Sequence, residues 1–215
     1  MVPELAGAAA AEVADLREAV FAAASSLPPR WIAVGAGRSD GLVGPTATGT
    51  FAGYGVDLRV ALSPEAQDAA AELPLCALIA GWVRGEVDPS ASVEVRVCAE
   101  DLDPDAALRR GALLRAEIAE AADPVGVLVV ADGAHTLTPP APGGYVPESI
   151  PVQEALDDAL ARGDAAALGR LPGTVVGRAA YQVLAGLSGP SPRSAREFYR
   201  GAPYGVGYFV GVWQP

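Results

Sequence analysis

The chain has 215 residues, with 15 basic and 26 acidic side chains and a formal net charge of −11. That length is enough to bury a substantial core, and a 51% hydrophobic content excludes a disordered chain. A pI near 4.5 leaves no cation surplus to displace counterions from phosphate, so a nucleic-acid binder is excluded. Every base is Arg. The single His is His135 and the only thiols are Cys76 and Cys98. This excludes a disulfide scaffold, and also a His-rich or four-Cys metal site. The Ala-rich, Lys-free bias matches coding drift in a high-GC genome, so the choice of Arg over Lys carries no recognition argument.

The first residues, Met1 to Gly7, have no basic region ahead of Glu4, which argues against a secretory signal. Residues 8–26 place Val13, Leu16, Val20 and Phe21 at helical spacing, and Pro28-Pro29 end that helix. Trp31 to Gly35 is a short apolar run that predicts a buried strand. Gly35 to Gly55 is rich in Gly, Thr and Ser with little periodicity, and reads as a long functional or wrapping loop. Val56 to Leu62 alternates and predicts a half-buried strand. Leu73 to Val83 is the longest strongly apolar stretch, about half the roughly 20 residues that a membrane span needs. Pro74 to Val83 reads as a core helix. No membrane contact is expected, and the chain reads as cytoplasmic with reduced thiols.

Ser92 to Ala99 alternates Val93, Val95 and Val97 with Glu94, Arg96 and Cys98, which predicts a strand with one wetter face. Asp103 and Pro104 are an N-cap and first residue for a helix lined by Leu108, Leu113, Ile118 and Ala122. Val125 to Val130 is a continuous β-branched run and the strongest candidate for a central strand. Three helical segments follow, near 151–161, 164–171 and 173–187. Two late strands are expected at Ala195 to Tyr199 and Gly205 to Trp213. The strand–helix alternation predicts one α/β domain over residues 1–215, with three α/β/α layers.

Ligands of open α/β sheets sit beyond the carboxyl ends of strands. Two loops leave such ends here, Gly35 to Gly55 and Asp132 to Pro147, and they converge on one cleft if their strands are neighbours. Asp132 and His135 stand three residues apart. An Asp beside a His fixes its tautomer and suits acid/base work, although a His bonded to backbone would only shape the loop. Gly35-Ala36-Gly37 is not a dinucleotide loop, because Asp40 stands where the third Gly belongs, and close backbone packing explains Gly35 as well. Arg38 could answer a carboxylate. Thr50 and Tyr54 could set a hydroxyl and an aromatic ring over a pocket, or belong to a structural wrap. Cys76 reads as a core residue. Cys98 reads as a partly exposed strand residue that is no nucleophile.

Ala131-Asp132-Gly133-Ala134-His135-Thr136-Leu137-Thr138-Pro139, Pro142-Gly143-Gly144-Tyr145-Val146-Pro147 and Pro203-Tyr204-Gly205-Val206-Gly207-Tyr208-Phe209-Val210 carry a resemblance. Together they resemble the class III extradiol dioxygenases, in the superfamily of the protocatechuate 4,5-dioxygenase β-chain. Within it they are most similar to an Ala-rich actinobacterial group, most clearly over 125–213. The resemblance implies a mixed, mostly parallel sheet. In active members it implies Fe(II) held by two His and one Glu, with a further His as acid/base. His135 matches only that last His. The position of one iron His reads Gly35-Ala36-Gly37-Arg38, and no Glu ligand is assignable. The motif of the other iron His would precede Val2-Pro3-Glu4. The resemblance therefore implies an upstream start or a sheet with one strand fewer, whose open edge would pair with another copy.

These readings converge on a relative that has lost the two-His iron site and needs no cofactor. It would bind a small ligand around His135 and Asp132, helped by Arg38, Gly35, Thr50 and Tyr54. One alternative is a divergent metal-dependent oxygenase or a His135 acid/base enzyme. Another is a non-catalytic subunit of an oligomer.

Overall fold

The computed structural model describes residues 2–67 and 69–214. The fold is α/β, with a mixed and mostly parallel four-stranded sheet. By compactness the chain divides into two units. One holds residues 1–99 and 121–130, the other 100–120 and 131–215.

The first unit opens with a helical turn, α1 (Pro3–Ala6), and a 3₁₀ segment over Gly7–Val13. Helix α2 then runs over Ala14–Ala24. The single helix expected over 8–26 is thus split at Val13. Strand β1 (Arg30–Gly37) pairs in parallel with β5 (Ser92–Ala99) on one side and with β6 (Val125–Val130) on the other. A short β2 (Gly41–Val43) closes the sheet antiparallel to β5. The order is β2-β5-β1-β6. The central strand is therefore β1, and β6 is the end strand of this sheet. A continuous apolar run signals burial of both faces, but it does not say how many hydrogen-bonded neighbours a strand has.

Alternation along β1 and β5 puts Trp31, Ala33, Val93, Val95 and Val97 on one face, in register with Leu128 and Val130 of β6. That face packs on α3 (Leu75–Val87), which contributes Ala77, Leu78, Ala80, Trp82 and Val83 to the same core. Each Leu or Val buried this way is worth about 1.5–3 kcal/mol. Phe21 of α2 meets the Trp82 ring with centroids 5.4 Å apart. In the last turn of α3, Arg84 is buried and donates to the carbonyls of Ala61 (2.9 Å), Pro89 (2.6 Å) and Ala91 (3.1 Å). One guanidinium thus satisfies three backbone carbonyls. Cys76 and Cys98 are both buried. Burial pushes the Cys76 thiol up to about 11. The partial exposure expected of Cys98 is not found. Its strand face is wetter only at Glu94 and Arg96, which pair with each other at 2.9 Å.

The long loop expected over 35–55 instead carries β2, β3 (Thr48–Thr50) and a 3₁₀ turn (Phe51–Tyr54). The strand expected over Val56–Leu62 shortens to β4 (Arg59–Ala61), antiparallel to β3. Three-residue strands are too short to show a period of two.

In the second unit, α4 (Pro104–Glu120) starts as expected, with the Asp103 carboxylate accepting from the Ala106 N–H at 3.1 Å. Its inner face matches the expected stripe only in part: Leu108 packs on the local core. Leu113 is 71% exposed, while Ala107, Gly111 and Leu114 are buried. The partner is α7 (Arg178–Ser188), and the two backbones nearly touch through glycines. A Cβ on Gly111 would lie 2.1 Å from the Val183 carbonyl oxygen, and one on Gly186 2.0 Å from that of Leu108. Small residues hold this contact, so a search for large apolar side chains points in part to the wrong stripe.

Helix α5 (Ser149–Arg162) ends at Gly163 in the left-handed region, and a four-residue α6 (Ala165–Leu168) is capped by Asp164. Leu156, Ala159, Leu160, Leu168, Val175, Tyr181 and Ala185 form the local core. The two late strands are β7 (Ser194–Gly201) and β8 (Tyr208–Gln214), antiparallel and irregular between Glu197 and Tyr199. The Trp213 indole N–H donates to the Leu160 carbonyl at 2.7 Å and ties this hairpin to α5.

Candidate functional site

After β6 the chain enters the 131–147 segment, whose backbone is pinned from several sides within the second unit. The Gly177 N–H donates to the Asp132 carbonyl at 2.8 Å, and that of Val176 to Gly133 at 3.3 Å. Gly133 N–H donates to the Gly207 carbonyl, Gly207 N–H to that of Ala134, and Leu137 N–H to that of Gly205, at 2.8–3.1 Å. On the other side Gly143 N–H donates to the His135 carbonyl and Val146 N–H to that of Thr136, both at 3.0 Å. The Thr136 hydroxyl also bonds the Ser149 hydroxyl at the start of α5, at 2.7 Å. The segment is irregular, yet its carbonyls and amides are paired as they would be in a strand.

Asp132 is half-buried, and loss of hydration pushes its carboxyl above the usual carboxylate range; the nearby His135 acts in the opposite direction. Among the described residues its carboxylate has no hydrogen-bond partner. Two phenols feel its charge. Tyr181 is buried, with its hydroxyl donating to the Ala131 carbonyl at 3.2 Å, and its pKa is raised chiefly by burial. Tyr208 is pushed up to about 12, again chiefly by burial. Both therefore stay neutral donors at physiological pH. His135 is exposed. Its ring rests on the backbone of Gly143, where a Cβ would come within 2.3 Å of Cδ2 and 2.5 Å of Nε2. Gly143 is thus the seat of the imidazole.

Under this loop lies a carboxamide that the sequence did not single out. Gln153 of α5 is 5% exposed. Its Oε1 accepts from the Ala134 N–H at 2.8 Å, and its Nε2 donates to Asp157 Oδ1 at 2.8 Å. Burial pushes Asp157 up to about 6. A Gln and an Asp four residues apart on an amphipathic helix look like a solvent face. The available signal was the pair of glycines, Gly133 and Gly207, that flank the amide.

The other expected ligand residues belong to the first unit. Gly35 is packed against α3, where a Cβ would lie 2.3 Å from Cys76 Cβ. Arg38 is exposed just past β1. Thr50 caps the 3₁₀ turn: its Oγ1 accepts from the Ala52 N–H at 3.1 Å and donates to Asp57 Oδ1 at 2.9 Å. Tyr54 is 52% exposed and meets the edge of Phe51 at 6.1 Å. Asp132 and His135 are together; Thr50 and Tyr54 share one turn; Gly35 and Arg38 flank the end of β1.

Compared with protein-family models and with curated proteins, the chain matches none. The iron that the sequence resemblance implies finds no fitting donor set. The chain has one His, and among the described residues no three His, Cys, Asp or Glu side chains come together as a metal site would require. Among the described residues no helix is long and apolar enough to cross a membrane.

Proposed function

We propose that this is an extradiol-dioxygenase-like protein that has lost the two-His iron site and binds a small ligand at the Asp132–His135 loop. The observation that carries the reading is the Asp132 carboxyl: desolvated, lacking a hydrogen-bond partner among the described residues, and facing the one imidazole of the chain. Carboxyl groups whose ionisation is disfavoured by burial gather at functional sites. A carboxylate accepts hydrogen bonds and an imidazole N–H donates one. A donor and an acceptor on a pinned backbone suit a small polar ligand, and the class proposed is a carbonyl compound or acid, aromatic members included.

A second reading makes the same pair an acid/base catalyst. It is favoured by Asp132 and His135 lying within electrostatic reach on one rigid turn. Thermal-shift titration with pyruvate, benzoate and 4-hydroxybenzaldehyde tests the binding reading. The wild type should be stabilised by at least one of them, and Asp132→Ala and His135→Ala should lose that stabilisation while remaining folded. Equal stabilisation of all three proteins, or of none, would reject the site. Purified protein that holds iron stoichiometrically would reject the loss of the metal.

A further inference from the structure

Ala134 sits between Asp132 and His135 and is fully buried, so water does not serve its N–H. That N–H depends on Gln153 Oε1. The carboxamide has little freedom. A Cβ at Gly133 or at Gly207 would each come within 2.2 Å of Oε1, so the glycines leave room for one flat group between them. Packing does not decide which end of that group points to Ala134, because the oxygen and nitrogen ends are nearly the same size. Its two partners decide it together. The Ala134 N–H needs the oxygen end, and an ionised Asp157, which only accepts, needs the NH₂ end. A protonated Asp157 also donates, so it no longer enforces the NH₂ end, and the hold on the oxygen at Ala134 weakens.

We propose that Asp157 and Gln153 form a proton-sensitive relay that holds the Ala134 amide and so regulates the Asp132–His135 site. This regulation rests on the ligand-site reading given above; the relay itself does not. The charged and titratable groups facing Asp157 are Asp158 on its own helix, Glu197 and Arg200 on β7, and Tyr181 on α7. Arg200 is shared, bonding Glu197 at 2.7 Å and Asp158 at 3.1 Å, so it offsets the burial of Asp157 only in part. The Gln153 hydrogen bond favours the ionised carboxyl. By linkage, protonation must weaken that bond.

The test is amide exchange at Ala134 between pH 5 and 8, corrected for the intrinsic pH dependence of exchange. Protection should fall about threefold as pH drops through about 6, since the bond is weakened and not removed, a part of the roughly tenfold that one net hydrogen bond supplies. His135→Gln should keep the inflection, which separates it from protonation of the imidazole. Asp157→Asn should abolish it. Arg200→Gln removes the cation that favours ionisation and should move the inflection to higher pH. Flat protection in the wild type, or an inflection that survives Asp157→Asn, overturns the relay. If Asp157→Asn does not fold, an inflection unmoved by Arg200→Gln overturns it equally. No ligand enters the readout, so failure of the relay and failure of the ligand site are distinguishable.

Discussion

Gly143→Ala separates the position of the His135 ring from the stability of the fold. The added methyl would stand 2.3 Å from His135 Cδ2 and 2.5 Å from Nε2. Ordinary carbon contacts begin near 3.4 Å, so the ring must retreat by about 1 Å. Gly143 does not lie in the left-handed region, so alanine meets no backbone strain there. The methyl also meets Thr136 Cγ2 at 2.7 Å, on a β-branched side chain whose hydroxyl bonds Ser149. The His135 ring is the end of an exposed side chain that can rotate about χ1 and χ2, and Thr136 must give by a few tenths of an ångström, so the stability cost should be up to about 1 kcal/mol. His135 is the only histidine, so its ring ¹⁵N–¹H correlations need no assignment by mutagenesis. Those signals should move, ligand affinity should fall about tenfold, as a 1.4 kcal/mol loss would give, and the urea midpoint should stay within a few tenths of a molar. Unchanged imidazole signals in folded Gly143→Ala would refute the seat. A large loss of stability would refute the claim that the ring and a small shift of Thr136 absorb the methyl.

Gly186→Ala and Gly85→Ala are the same substitution inside helices, with opposite expected signs. At Gly186 the new methyl meets a backbone oxygen at 2.0 Å that cannot rotate away, so stability should fall by about 2–3 kcal/mol; at exposed Gly85 nothing lies within 4 Å, and helix propensity should add about 0.5–1 kcal/mol. Urea unfolding of both variants reads the two signs. Arg84→Met should cost about 3–5 kcal/mol by the same assay, because it removes a donor from three backbone carbonyls at once. Asp157 supplies a pH dependence whose sign is fixed by its raised folded-state value. The folded chain holds this proton more tightly than the unfolded chain, so its contribution to stability is complete below pH 4 and is lost as pH rises through about 6. Asp157→Asn should therefore flatten the stability profile between pH 4 and 6 and be the more stable protein at pH 7. This trend is opposite to that of local protection at Ala134, so global unfolding cannot mimic the relay.

Strong local signals were legible in the sequence. The Val93-Val95-Val97 alternation gave β5 its bounds, and the Asp103-Pro104 pair gave the start of α4. Relations between elements were less so. The apolar run of β6 resembled a central strand, but the sheet is ordered around β1, and strand order is a property of pairing rather than of one segment. The α4 stripe was misplaced in part because Gly111 and Gly186 contribute by being absent from the space between two backbones, and hydropathy does not register absence. The candidate site divides in the same way. Asp132 and His135 were visible as a short pair of reactive types. Gln153 and Asp157 were not, since their burial comes from glycines 20 and 54 residues away from Gln153 in the chain, at 133 and 207.

The most direct test of the central claim is titration of ¹⁵N-labelled protein with the same three compounds while the lone imidazole and the Ala134 amide are followed together. Saturable shifts of both signals are predicted with at least one compound, and loss of the Ala134 shift in Asp132→Ala. Binding that saturates elsewhere on the chain and leaves both signals in place would contradict it.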